Sequence, residues 1–300
     1  MKLKKFSWFF VLLFILIGCS SGERNEKDLI YKKEINKWRN RRITNLKRDN
    51  GWLNLVGLYW LKQGANTFGS DKANDIVFPS GAPKLIGKFI LNGNSITAKI
   101  NNGVDVFHKG SKVTTITLKD DMSPEATVLA VGPFRFFVIK RGDRYGIRLR
   151  NLDAPLVKNF KGIKYFPIDK KWRVKAKFEK YNTPKILSIP TEIGTIEEDT
   201  SFGRLKFNID GKTYGLDPIN ADKKFFIILA DETSGSETYG GGRFLYASKP
   251  DSTGTTIIDF NKAYNPPCAF TKFATCPLPP KNNYLKMKIT AGEKVYGHGH

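Results

Sequence analysis

"GRLKFNIDGKTYGLDPI", residues 203–219, and "KKFFIILAD", residues 223–231, decide the fold class of this chain. The first carries Asp210-Gly211, a dipeptide suited to the positive φ angles of a tight hairpin turn. The second is a short continuous apolar run of the kind that forms a buried strand. Working outward, "GRFLYASKPDSTGTTIIDF" at 242–260 predicts a further hairpin turning at Asp251 to Gly254. Upstream, "GKFILNGNSITAKINNG" at 87–103 holds a hairpin signal at Asn92-Gly93-Asn94. "VTTITLKDD", "FRFFVIKRGDRYGIRLR" and "WRVKAKFEKY" continue the alternation, with "RGDRYG" as a turn between two strands. "GWLNLVGLYWL" at 51–61 is apolar and aromatic without a clean period and reads as packed core.

Helical spacing is confined to the start, where Leu29, Ile35, Trp38, Arg42 and Leu46 lie between charged residues and Asn50-Gly51 supplies a stop. The expected fold is mostly β: an antiparallel β-sandwich or barrel behind an N-terminal helix at 28–50. Two β subdomains are expected at 51–160 and 161–300, with the boundary near 155–185. No βαβ alternation is present, which argues against a nucleotide-binding parallel sheet.

The first residues concern location. "MKLKKFSWFFVLLFILIG", residues 1–18, has a basic start, a short apolar core and a small final residue, the pattern of a secretory signal peptide. Its apolar run is shorter than the roughly 20 residues that span a bilayer. Leu16-Ile17-Gly18-Cys19 resembles a bacterial lipobox with Cys19 as the lipidated residue, followed by a polar tether through residue 27. The expected location is the cell envelope, with the membrane as a partner through the lipid on Cys19.

The formal charge is +22, and removing the leader with its three lysines leaves +19. The lysines are scattered and no nucleic-acid-binding motif is present, so nucleic acid is not an expected partner. Anionic headgroups or acidic polysaccharide fit an exported basic protein better.

"DFNKAYNPPCAFTKFATCPLPPKNN", residues 259–283, holds Cys268 and Cys276. In an oxidising compartment a disulfide between them is expected; closing that short loop would be worth about 2.6 kcal/mol. Free thiols are one alternative. Metal ligation with His298 and His300 is the other, although C-x7-C is not a common zinc spacing. No metal or cofactor is expected.

Two stretches bring polar groups together. "DETSGSETYGGGRFL" at 231–245 offers Asp231, Ser234, Thr238, Tyr239 and Arg243, with Gly240 to Gly242 allowing close backbone approach. The proline-stiffened segment that follows offers Asp259, Asn261, Tyr264 and Asn265. These are the candidate ligand-binding residues, and a stiff polar loop suits binding because its ordering cost is met in the free state. A small polar or glycan ligand is expected. The alternative is an exported hydrolase with Asp231 or Asp259 as acid–base and Arg243 stabilising an anion. G-x-S-x-G and H-E-x-x-H are absent, and the three histidines sit in no catalytic motif.

Trp38-Arg39-x-Arg41, "GWLNLVGLYWL", "FGSDKANDIVFP", "DETSGSETYGGGRFL" and "DFNKAYNPPCAFTKFATCPLPPKNN", in that order, resemble the domain of unknown function 1684 family. The resemblance implies no activity. "GSDKANDIVFPSGAPKLIGKFILNGNSITAKI" is similar to the opening of forkhead-associated β-sandwich domains, which implies a sandwich for the first subdomain. The Gly-Arg and Ser-x-x-His of those domains are replaced by Gly69-Ser70 and Ala82 to Leu85, and without the arginine phosphopeptide reading is not expected.

Overall fold

The computed structural model describes the backbone of residues 15–297 and the side chains of residues 25–297. The first fourteen residues of the leader, the side chain of Cys19, and His298 and His300 lie outside the described residues.

Helix α1 covers Ile15–Lys47 and buries Tyr31, Ile35 and Leu46 along one side. It ends close to the predicted stop, where the Gly51 amide bonds back to the Arg48 carbonyl at 2.7 Å. Its start differs from the expectation. Residues 20–27, read as a tether, are continuous helical backbone. This stretch holds good helix formers and no proline, and one glycine, Gly22, costs a helix only about 1 kcal/mol. No helix among the described residues is long and apolar enough to cross a membrane.

Eleven strands follow. They are β1 (Leu55–Trp60), β2 (Gly64–Gly69), β3 (Ile76–Val77), β4 (Gly87–Asn92), β5 (Ser95–Ile100), β6 (Phe107–His108), β7 (Ser111–Lys112), β8 (Thr115–Thr117), β9 (Val128–Val131), β10 (Phe134–Arg141) and β11 (Arg144–Asn151). They make a six-stranded sheet, β1-β11-β10-β9-β6-β7, and a five-stranded sheet, β3-β2-β4-β5-β8. The two faces share one core, centred on Phe68 stacked on Phe89 at 4.1 Å, with Phe136 edge-on to both. The first unit is therefore a β-sandwich, and the predicted turns at Gly93 and Gly142 close its hairpins.

A short helix, α2 (Pro155–Asn159), leads to the second unit: β12 (Arg173–Pro190), β13 (Ile196–Ile209), β14 (Lys212–Leu216), β15 (Ile219–Ala221), β16 (Lys224–Asp231), β17 (Arg243–Ser248), β18 (Thr255–Asp259) and β19 (Tyr284–Leu285). One sheet runs β14-β13-β12-β18; the other runs β15-β16-β17, with β19 parallel to the far end of β16. Asp210-Gly211 turns β13 into β14 as predicted, with Ile209 opposite Lys212. The run in β16 is continuous because both faces are covered. Phe225, Ile227 and Leu229 join a core with β12–β14 and β18, while Phe226 and Ile228 face a second cluster with Leu187, Ile189, Phe244 and the two cysteines. The long β12–β13 hairpin reaches both, its register shifting between Lys180 and Lys185.

The second predicted hairpin is corrected by the structure. The turn at Asp251 forms, with Asp251 accepting the amides of Thr253 and Thr255. The strands on either side do not pair. β17 pairs with β16, and β18 pairs with β12. Pro250 next to the turn has no amide to donate, so the ladder cannot start there. A single bond, from the Thr256 hydroxyl to the Ser248 carbonyl at 2.9 Å, joins the two strands, leaving an open seam between the sheets.

Candidate functional site

Asp231 ends β16 and Arg243 begins β17, and both side chains are fully buried. Arg243 Nη2 donates to Asp231 Oδ2 at 2.6 Å and to the Ile289 carbonyl at 3.1 Å, and Nη1 donates to the Ala291 carbonyl. Asp231 Oδ1 accepts from the Thr233 amide and hydroxyl and from the Ile289 amide. Burial pushes the guanidinium below its ordinary range while Asp231 pulls it back. The pair is thus a buried post fastening the C-terminal segment to the sheet. Thr238 bonds Thr233 at 2.9 Å, and the Ser234 hydroxyl accepts the Asp231 amide. Tyr239 points elsewhere and donates to Glu192 at 2.9 Å. The close approach that the glycines allow is taken up by the chain itself. Gly242 has φ +80, and a Cβ there would meet the Leu229 carbonyl at 2.5 Å and the Pro279 ring.

Two of the four later candidates are also bound inward. Asn261 is buried and bonds the backbone of Asp169 in both directions as well as the Tyr31 hydroxyl. The Asn265 amide donates to Glu293 Oε2 at 2.7 Å, and its side chain donates to the Lys294 carbonyl. Glu293, fully buried, also takes Arg42 Nε at 3.1 Å; burial raises its carboxyl above the ordinary value against the pull of Arg42.

The expected disulfide is absent: Cys268 and Cys276 are buried free thiols. Each backbone amide donates to the other's sulfur, Cys268 N–H to Cys276 Sγ at 3.0 Å and the reverse at 3.3 Å. The loop is clasped by these reciprocal bonds and by Thr275, whose hydroxyl accepts Arg141 at 3.0 Å and Arg148 at 3.4 Å. The bond with Cys276 lowers the Cys268 thiol, while burial raises Cys276. No cluster of metal-ligating side chains occurs among the described residues.

Asp259 and Tyr264 stand beside open space, with Asp259 Oδ2 itself enclosed. Both line a cavity of about 790 Å³ at the seam between β17 and β18, walled on one side by α1. Asp259 Oδ1 accepts the Tyr31 hydroxyl at 2.8 Å; Oδ2 has no hydrogen-bond partner, and Lys262 Nζ lies 3.7 Å from it. Tyr264 stacks on Tyr246 at 6.3 Å and 16°, beside Trp38 at 6.4 Å, with Arg42 over its ring at 4.6 Å. Burial pushes the Tyr264 phenol up, keeping it neutral. Six cations line the cavity, Arg41, Arg42, Arg173, Lys224, Lys249 and Lys262, against two acids, Asp251 and Asp259. Arg42, Lys249 and Lys262 are held by Glu293, Asn220 and Glu34.

Sequence reasoning missed most of this site. Trp38 and Arg41 belong to a stretch that carries family likeness and no recognisable chemistry, and Lys262 sits inside the proline-rich segment. Tyr246 had a signal of its own, an aromatic at an outward position of a strand.

Fold and site together define an antiparallel β protein of two units whose second unit carries a basic, aromatic cavity under a helix. Residues 158–294 match the model of a family described as a protein of unknown function, DUF1684. The solution NMR structure of the uncharacterized protein from gene locus rrnAC0354 of Haloarcula marismortui is 29% identical over 46% of this chain and 79% of that one, with a TM-score of 0.39. The FHA structure of Rv0020c is 16% identical over 32% of this chain and 91% of its own, with a TM-score of 0.22. No curated protein matches the chain.

Proposed function

We propose that this is a lipid-anchored envelope protein that binds a small polar or glycan ligand in the seam cavity. The leader, the lipobox-like Leu16 to Cys19 and the net charge support the location. The observation that carries the binding reading is the cavity itself, where a cationic wall, stacked aromatic rings and the Asp259 carboxylate surround one space of ligand size. The hydrolase reading has no comparable support. Of its residues, Asp231 and Arg243 are consumed in a buried ion pair, and Asp259 is left in the cavity without a second free acid, because Asp251 is engaged in its own turn.

Ligand-detected NMR with a library of small polar molecules and glycan fragments tests the binding. Some members should give transfer signals with the native chain and lose them with Tyr246→Ala, a residue 47% exposed in the cavity wall. A blank library, or signals indifferent to the substitution, would reject the reading. Separately, Cys19→Ala should move the protein out of the membrane fraction and abolish fatty-acid labelling.

A further inference from the structure

We infer that the seam cavity is built for an acidic saccharide, a ring polyol bearing a carboxylate or phosphate. This inference rests on the proposed binding role and narrows its ligand. Three independent features of the wall ask for three properties in one molecule.

The first is negative charge. Arg41, Arg173 and Lys224 line the cavity with no acidic side chain within 4 Å among the described residues, while the other three cations there have protein acceptors. An ion pair inside the protein would have quenched the first three; here their donors are spare and converge on one space.

The second is hydroxyl donors. Asp259 is 6% exposed, and its Oδ2 has no hydrogen bond. A buried carboxylate oxygen without a donor is costly, and the cation within ion-pair reach of it among the described residues, Lys262, stands at 3.7 Å. Oδ2 is itself enclosed, so the carboxylate acts on this end of the cavity through its charge, disfavouring a bare inorganic anion and favouring a hydroxyl-bearing group. The strand edge adds more. The Phe244 amide and carbonyl point away from β16 and bond Tyr264 at 2.8 and 2.9 Å. Antiparallel alternation makes Tyr246 present its own amide and carbonyl on the same side, where β18 stands off across the seam without pairing.

The third is a flat apolar face. Tyr246 and Tyr264 lie stacked within 16° of parallel, and Tyr246 is half exposed. Such a platform takes the C–H face of a pyranose and serves no purpose for a lone phosphate.

The experiment is calorimetric titration of the full-length chain with trigalacturonate, its methyl ester and inorganic phosphate. The acid should bind at least about tenfold more tightly than the ester or phosphate, in keeping with one or two charge-assisted bonds. Arg41→Gln and Arg173→Gln should each weaken the acid about tenfold and leave the ester unchanged. Both residues are exposed and lack acidic partners, so folding is not at stake. Equal affinity for acid and ester removes the anionic requirement; phosphate binding as tightly as the acid removes the saccharide. If none of the three binds, this inference fails. The broader reading then survives if the NMR library gives Tyr246-dependent signals and falls with it if the library is blank.

Discussion

Asp231 and Arg243 stand twelve residues apart in sequence and 2.6 Å apart in space, with no exposure to solvent. Their polarity was legible in the sequence, but the direction they face was not. A carboxylate and a guanidinium flanking a loop look alike whether they face water or brace the interior, because burial is settled by what packs above them, here residues 287–293. Removing one member leaves the other charged and unpaired. Arg243→Met should therefore destabilise by about 3–5 kcal/mol in urea unfolding, and the double variant with Asp231→Asn should recover part of that loss. Asp217 gives a pH-dependent counterpart. Burial pushes its carboxyl up, but Lys185, Tyr181 and Arg204 outweigh this and hold it below the ordinary value. A carboxyl lowered on folding contributes its full stabilisation above the unfolded pKa of about 3.9 and loses it as pH falls through the folded one. In melting curves from pH 7 down to pH 3, Asp217→Asn should start lower and show a flatter acid limb than the native chain.

Among the elements, the strands were the most legible. Asp-Gly and Asn-Gly turns and period-two alternation are local signals, and β4–β5, β10–β11 and β13–β14 follow them. The segment after β17 shows where local signals stop. Its turn was readable, but strand partnership depends on which distant edges are vacant, and β12 and β16 claimed the two strands separately. The cavity exists because of that divergence, so it was not readable either. Helix α1 was found, yet its function as the cavity wall depends on docking through Tyr31 to Asp259 and Arg42 to Glu293. Tyr31→Phe removes the donor to a buried carboxylate and should cost about 1.5–3 kcal/mol. Hydrogen exchange should show faster amide exchange in α1 with β10 and β11 unchanged. Equal acceleration everywhere would mean that the bond supports the whole fold and not the helix seat.

At the scale of the whole molecule, the two units are joined by buried polar ties. Thr271 donates to the Leu55 carbonyl at 3.2 Å, and Arg141 and Arg148 meet at Thr275. Arg148 is pushed down to about 10 by burial, and its Nε has no partner. Separating the units would expose Trp52, Phe270 and the clasped cysteine loop together, so they should unfold together. Calorimetry should give one transition whose measured enthalpy equals the van't Hoff value; two resolved peaks would mean that each unit stands alone.

The unbroken helix α1 also sets a distance. At 1.5 Å per residue, the path from Cys19 to Trp38 is about 28 Å. If Cys19 carries acyl chains as proposed, this stretch would act as a stiff mast and not a leash, and would carry the proposed pocket well past the roughly 8 Å over which surface charge is felt in physiological salt. Lipid headgroups of the same leaflet would then be out of reach. What the pocket meets would be whatever occupies the layer a few nanometres above the bilayer, so altering mast length by whole helical turns should retune which material it captures without touching the pocket.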